Sequence, residues 1–178
     1  MKYNPADDRE LAELTKAVRS IAKEGGDFLR TERKNFKREK VEEKNSHDYV
    51  SYVDKESERR LVTELSALLP EAGFIAEEGS ATYNDEPYCW VIDPLDGTLN
   101  FINGVPHFCI SLAVKHKGVV QHGVIYDPVR DELFSASRGR GAMMNQRRIR
   151  VNIKDSLDNT FLSVGHAYRV MRNGEIVK

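Results

Sequence analysis

The densest chemistry in the chain lies in WVIDPLDGTLNF, residues 90–101. Asp93 closes an apolar run that reads as a buried strand. Pro94 fits position i+1 of a β-turn that would set Asp93 and Asp96 at its corners, Cα atoms within about 7 Å. Carboxylates held that close repel each other unless a proton or a cation lies between them. Hard cations such as Mg2+ take carboxylate, carbonyl and water oxygens, and the carbonyl of Leu95 is positioned to join such a set. Gly97 allows backbone to approach a ligand, and Thr98 adds a hydroxyl beside amides that open a short helix, a cradle for phosphate. Taken in isolation, Asp-Pro-Leu-Asp-Gly also reads as an ordinary turn, because these residue types dominate turns for conformational reasons.

A second acidic pair, Glu77-Glu78, follows the apolar run FIA and should also stand at a strand end. Alternation sends its two side chains to opposite faces, one toward the aspartates and one toward solvent. The charge distribution points the same way. Residues 61–114 carry 8 acidic and no Lys or Arg side chains, whereas residues 115–178 carry 12 basic and 6 acidic. The middle of the chain calls for a cation that its own side chains do not supply.

These residues need elements to hold them. Leu11, Leu14, Val18, Ile21, Ala22, Gly25, Phe28 and Leu29 recur at helical spacing, predicting a long amphipathic helix over about 7–33. Residues 34–45 are nearly all polar and read as a surface segment. A second helix is predicted from about Asp54, placed as its N-cap, to Leu69, with Leu61, Leu65 and Leu68 buried and Pro70 as the stop. Beyond Pro70 the pattern turns to strands at 74–78, 89–93, 107–118, 119–128 and 132–137, with a turn at Lys117-Gly118. Further strands are read at 142–144, 149–151 and 161–165. Helices followed by strands make this an α+β chain: two N-terminal helices on a mostly antiparallel sheet.

Composition narrows the class. With 178 residues, 40% hydrophobic content and a net charge of -1, the chain reads as one globular domain over 1–178. No apolar run approaches a membrane span, and the charged start lacks the apolar core of a secretory signal. Cys89 and Cys109 sit in strand-like runs and suit a reduced, cytoplasmic protein. The balanced charge argues against indiscriminate nucleic-acid binding.

The motifs together resemble the inositol monophosphatase family of metal-dependent, lithium-sensitive sugar phosphatases. FIAEEG is similar to its Glu-Glu motif, and WVIDPLDGTLNFINGVPHFCISLAV to its signature. KNSHDYVSYVD (44–54) resembles the upstream Lys…Asp segment, and GVIYDPVRDELFSASRGRGAMMN the sheet that follows. The likeness implies the N-terminal part of a layered αβαβα sugar-phosphatase fold. It implies that Glu77, Asp93 and the Leu95 carbonyl bind a first Mg2+, and that Asp93 and Asp96 bind a second. Thr98, hydrogen-bonded to Asp54, would activate the attacking water that Glu77 also positions. The Gly97 and Thr98 amides would hold the ester phosphate, with Lys44 at the edge of the site; the substrate would meet Glu77, Leu95, Asp96, Gly97 and Thr98. The implied substrate is a small phosphorylated sugar or polyol, inositol-1-phosphate first. The implied assembly is a homodimer in the full-length form, with no membrane partner. Paired metals suit monoester hydrolysis, since they activate water and neutralise the leaving oxygen.

The chain departs from the family pattern at two places. Leu99 stands where the signature has a second threonine. The later Trp-Asp-x-x-Ala-Gly motif, whose aspartate completes the second metal site, has no counterpart, and Trp90 is the single tryptophan. The reading is therefore of an N-terminal portion whose C-terminal portion is absent: a fragment, a truncated product, or a half completed by a partner. Such a portion is expected to expose a sheet edge and apolar surface, to behave poorly as a lone monomer and to be impaired in activity. Within the superfamily, 3'(2'),5'-bisphosphate nucleotidase or fructose-1,6-bisphosphatase activity is the alternative. From another class, the alternative is a non-catalytic protein- or RNA-binding module, since some bacterial relatives associate with transcription machinery. For that module the surface would be Arg138, Arg140, Arg147, Arg148 and Arg150, otherwise a solvated hairpin. The aspartate spacing of three is not the Asp-x-Asp of haloacid-dehalogenase-type phosphatases. The histidines show no metal-ligand spacing, and His107 is expected to pack or hydrogen-bond.

Overall fold

Leu14, Val18, Ile21, Ala22 and Leu29 form one buried stripe along α1 (Asp8–Asn35), the long amphipathic helix its spacing predicts. The computed structural model describes residues 8–36, 41–45, 48–153, 156–158, 160–163, 171–172 and 175–176. After α1 come β1 (Val41–Asn45) and β2 (Asp48–Ser51), an antiparallel pair where a polar surface segment was expected. Its strands are too charged to show a period-2 pattern. Helix α2 (Tyr52–Leu68) then lays Leu61 and Leu65 against the sheet.

The N-terminus of α2 corrects one expectation. The N-cap is Ser51, in extended backbone, and Asp54 is the third helical residue. Ser51 Oγ accepts the Val53 amide at 3.1 Å, and the Asp54 carboxylate accepts the Ser51 amide at 2.8 Å. This is a capping box with aspartate in place of the usual glutamate.

The main sheet has seven strands in the order β3-β4-β5-β6-β7-β8-β9. These are β3 (Ala72–Ala76), β4 (Tyr88–Asp96), β5 (Cys109–His116), β6 (Val119–Asp127), β7 (Glu132–Ser137), β8 (Gly141–Met144) and β9 (Arg147–Ile149). β3 and β4 run parallel; every other neighbouring pair is antiparallel. A short helix α3 (Thr98–Asn103) leads from β4 toward β5. A two-stranded pair, β10 (Met171–Arg172) and β11 (Glu175–Ile176), follows. The predicted strand at 161–165 is not formed over residues 161–163, and its last two positions lie outside the described residues. Phe161 and Leu162 are exposed there.

Register assigns each side chain to a face. The rows Trp90–Val114–His122 and Ile92–Leu112–Val124 lie under α1 and α2 and are buried. The alternate rows, Val91–Ala113–Gly123 and Asp93–Ser111–Ile125–Phe134, lie on the opposite face. That face is rich in small residues, and Ile125 on it is 47% exposed. Among the described residues no helix is long and apolar enough to cross a membrane.

Candidate active site

The site is organised by an irregularity in β4. Asp93 pairs with Ser111 and Asp96 with Cys109, so Pro94 and Leu95 together oppose the single residue Ile110. This is a β-bulge, and it replaces the β-turn expected from Pro94. Proline cannot donate to the ladder, and at a bulge it does not need to. In a regular strand, residues three apart point to opposite faces. The extra residue restores the phase, and Asp93 and Asp96 fall on the face that carries Ser111 and Cys109. Cys109 Sγ lies 3.7 Å from Asp96 Oδ2.

The bulge also turns its carbonyls toward other partners. Ser57 Oγ donates to the Pro94 carbonyl at 3.1 Å, and Thr98 Oγ1 lies 3.0 Å from the Leu95 carbonyl. The same hydroxyl stands 2.8 Å from Asp54 Oδ1, so its single proton can serve either acceptor. Asp54 is buried, and its Oδ2 also accepts the Ser51 hydroxyl at 2.6 Å. Gly97 follows at φ +94°, where an added Cβ would stand 3.0 Å from the His107 carbonyl. Glycine is therefore required here both by conformation and by space.

Strand β3 ends at Ala76, and Glu77 and Glu78 form the turn after it, two residues earlier than the predicted strand end. The β3–β4 register ends at Ala76 with Ile92, and one step on, the Glu77 side chain meets the Asp93 carboxyl. A contact between two carboxyls requires a proton on one of them, or a cation in its place. Burial first, and then the charges of Asp96 and Asp54, push the Asp93 carboxyl above its ordinary range, against hydrogen bonds from Glu77 and the Leu95 amide. The Cys109 thiol is pushed up to about 12 by burial and then by Asp96 and Asp93, so it stays protonated and is no nucleophile at neutral pH.

The fold thus gathers Asp54, Glu77, Asp93, Leu95, Asp96, Gly97 and Thr98 at one end of β4. Lys44 lies in β1, but its side chain is outside the described residues. His107 is exposed, and its carbonyl accepts the Asn100 amide at 2.7 Å. The five arginines from Arg138 to Arg150 are exposed at the far edge, as a solvated hairpin would have them. Sequence reasoning missed Ser51, Ser57, Glu58 and Cys109. Position alone could have flagged Ser57 and Glu58, which stand three and four residues after Asp54 on one helix face. A cavity of about 490 Å³ opens beside the aspartates, lined by Asp96, Gly97, Asn100, Cys109, Ile125 and Phe134 among others.

Helices on one face of a mixed, mainly antiparallel sheet, with acidic residues at a strand end, define the fold of the sugar-phosphatase class. The inositol monophosphatase family profile matches residues 10–176, and the chain belongs to that family. It is 48% identical to Nus factor SuhB of Pseudomonas aeruginosa over 132 residues, 72% of this chain and 49% of that one. It is 38% identical to an inositol-1-monophosphatase of Rhizobium meliloti over 151 residues, 84% of this chain and 54% of that one. The crystal structure of the suppressor protein SuhB from Bartonella henselae superimposes with a TM-score of 0.75 at 36% identity, covering 80% of this chain and 55% of that one. A staphylococcal IMPase-I complexed with products gives a TM-score of 0.69 at 27% identity, over 77% of this chain and 52% of that one. The chain thus spans about half the length of the relatives it matches.

Proposed function

We propose that this chain carries the N-terminal, metal-binding part of an Mg2+-dependent phosphatase acting on a small sugar or polyol monophosphate, with inositol-1-phosphate as the first candidate. The observation that carries the reading is the phase-restoring bulge, which sets Asp93 and Asp96 on one face, with Glu77 against Asp93. These are hard oxygen donors around a surplus of negative charge, and they fit Mg2+ in kind. Among the described residues no group of three or more His, Cys, Asp or Glu stands close enough together to hold a metal ion as the side chains lie.

In this reading Glu77, Asp93 and the Leu95 carbonyl would hold a first Mg2+ and Asp93 with Asp96 a second, and these ions when bound would supply charge neutralisation and a more acidic water. Thr98, donating to Asp54, turns a lone pair toward the attacking water, and Glu77 orients that water from the other side. The Gly97 and Thr98 amides and Lys44 receive the phosphate. The cavity beside Asp96 offers room for the sugar or polyol. Bisphosphorylated nucleotides or sugars are the alternative substrates of the same chemistry. The test is Mg2+-dependent phosphate release from inositol-1-phosphate and a panel of monophosphates. Impaired release is expected from this chain, fuller release from a chain extended by the C-terminal portion, and a loss of at least a hundredfold from Asp93→Asn. Absence of release on every substrate from the extended chain as well would defeat the reading.

A second reading rests on the similarity to Nus factor SuhB: a binding module whose contact surface is the exposed arginine edge. Replacing Arg138, Arg140 and Arg148 by alanine together would then abolish partner or RNA capture and leave phosphate release intact.

A further inference from the structure

Helix α2 touches the site at three points. Asp54 meets the Thr98 hydroxyl, Ser57 meets the Pro94 carbonyl inside the bulge, and Glu58 meets the turn that bears Glu77. These positions are i, i+3 and i+4, one face of a helix. All three side chains are buried, and Glu58 is 0% exposed. Glu58 lies in KESERR, a segment otherwise suited to solvent, yet its carboxylate is spent inside the protein. Oε2 accepts the Glu78 amide at 2.6 Å, and Oε1 accepts the Ser80 amide at 2.8 Å. Both oxygens of a buried anion are thus committed to two amides of one short turn. Between them stands Gly79 at φ +72°, which lets the backbone curl so that both amides face the same carboxylate.

A buried charge is costly unless hydrogen bonds satisfy it, and amide bonds to a carboxylate are among the stronger ones. The glutamate at 58 is therefore not a filler, and a neutral residue would pack there at lower desolvation cost. Its bonds end one residue from Glu77, whose own carboxyl reaches across to Asp93. We propose that Glu58 is a positioning residue: it clamps the 78–80 turn to α2 and so sets the height at which Glu77 meets Asp93. This assignment rests on the cation-binding reading of Glu77 and Asp93. Glu58 itself does not touch the cation or the substrate; it acts through Glu77. Helix α2 then aligns three separate segments, the 77–80 turn, the bulge and the start of α3, from one rigid edge.

Glu58→Gln is the sharpest variant, because its amide NH2 replaces one acceptor oxygen and confronts a backbone N–H. Mn2+ serves as the probe, titrated by electron paramagnetic resonance, with amide hydrogen exchange at Glu78 and Ser80 read in metal-free protein. Expected in Glu58→Gln are faster exchange at both amides and Mn2+ affinity weaker by about tenfold or more, well below the thermal midpoint. Gly79→Ala distorts the same turn from its exposed side, where an added Cβ meets nothing within 4 Å. It is expected to lower Mn2+ affinity in the same direction and decides the matter if Glu58→Gln does not fold. Faster exchange or a lower midpoint with unchanged Mn2+ affinity would make Glu58 merely structural and overturn the proposal. Wild-type protein that binds no Mn2+, or binds it equally well as Asp93→Asn, would overturn the cation-binding reading itself, and the proposal with it.

Discussion

The two faces of the seven-stranded sheet were built for different purposes, although they share every strand. Under α1 and α2 the rows are large and closed: Trp90, Ile92, Ile110, Leu112, Val124 and Leu133 are all buried. On the opposite face the rows run through Ala113, Ser111 and Gly123 to Ile125 and Phe134, with a shallow cavity of about 320 Å³ among them. The acids stand on this second face, at the C-terminal end of β4. A side-chain period of two lets one strand serve a core and a site together. The closed face supplies rigidity, and the open face supplies access.

The comparison can be broken most directly by truncation. Trp90→Ala should cost about 3–5 kcal/mol in urea unfolding, because a fully buried ring leaves a cavity behind. Ile125→Ala, half-exposed on the other face, should cost about 1 kcal/mol or less. Equal losses would mean that the open face is covered in solution.

The next effect also belongs to the closed face. His122 is buried, Nδ1 sits 2.9 Å from Ser137 Oγ, and Nε2 has no partner among the described residues. Burial, with the charge of Arg19 adding and a bond donated to the Ala136 backbone opposing, holds its imidazole down to about 4. The unfolded chain takes that proton near pH 6.5 while the folded chain refuses it. Stability from this residue is therefore complete above pH 6.5 and is lost as pH falls toward 4. The loss is on the order of 3 kcal/mol. His122→Gln should flatten that part of a stability–pH profile.

Smaller still is the cap. Ser51→Ala should remove about 1 kcal/mol of stability. It should also lower phosphate release, because Asp54 loses the hydroxyl that helps orient it toward Thr98. A loss of stability with unchanged release would separate the cap from the site.

The closed face was largely legible in the sequence, and the site's identity more so than its geometry. Apolar periodicity placed α1, α2 and strands β5 to β7 within a few residues, since burial and spacing are the same information there. The bulge was not legible, because Asp-Pro-Leu-Asp satisfies turn chemistry and bulge chemistry alike; only the register against β5 distinguishes them. Asp54 read as an N-cap because a serine three residues earlier serves that role equally well. Glu58 escaped notice because a charge in KESERR looks solvated until a distant turn folds over it. The β1–β2 pair was hidden by its charges.

The bulge in β4 has one more consequence. Two acids on one face need only a spacing of two, so the added residue is redundant for phase. What it contributes is two carbonyls released from one-to-one pairing, one for Ser57 and one for Thr98. Shortening the segment by a residue would keep the aspartates aligned and strip away both attachments. Lengthening it by one would send an aspartate toward the helices. In a lineage of such chains the count of residues between Asp93 and Asp96 should be frozen, and the fully buried side chain at Leu95 should stay apolar and of similar size. Insertions and deletions should be tolerated in this stretch no better than the loss of an aspartate.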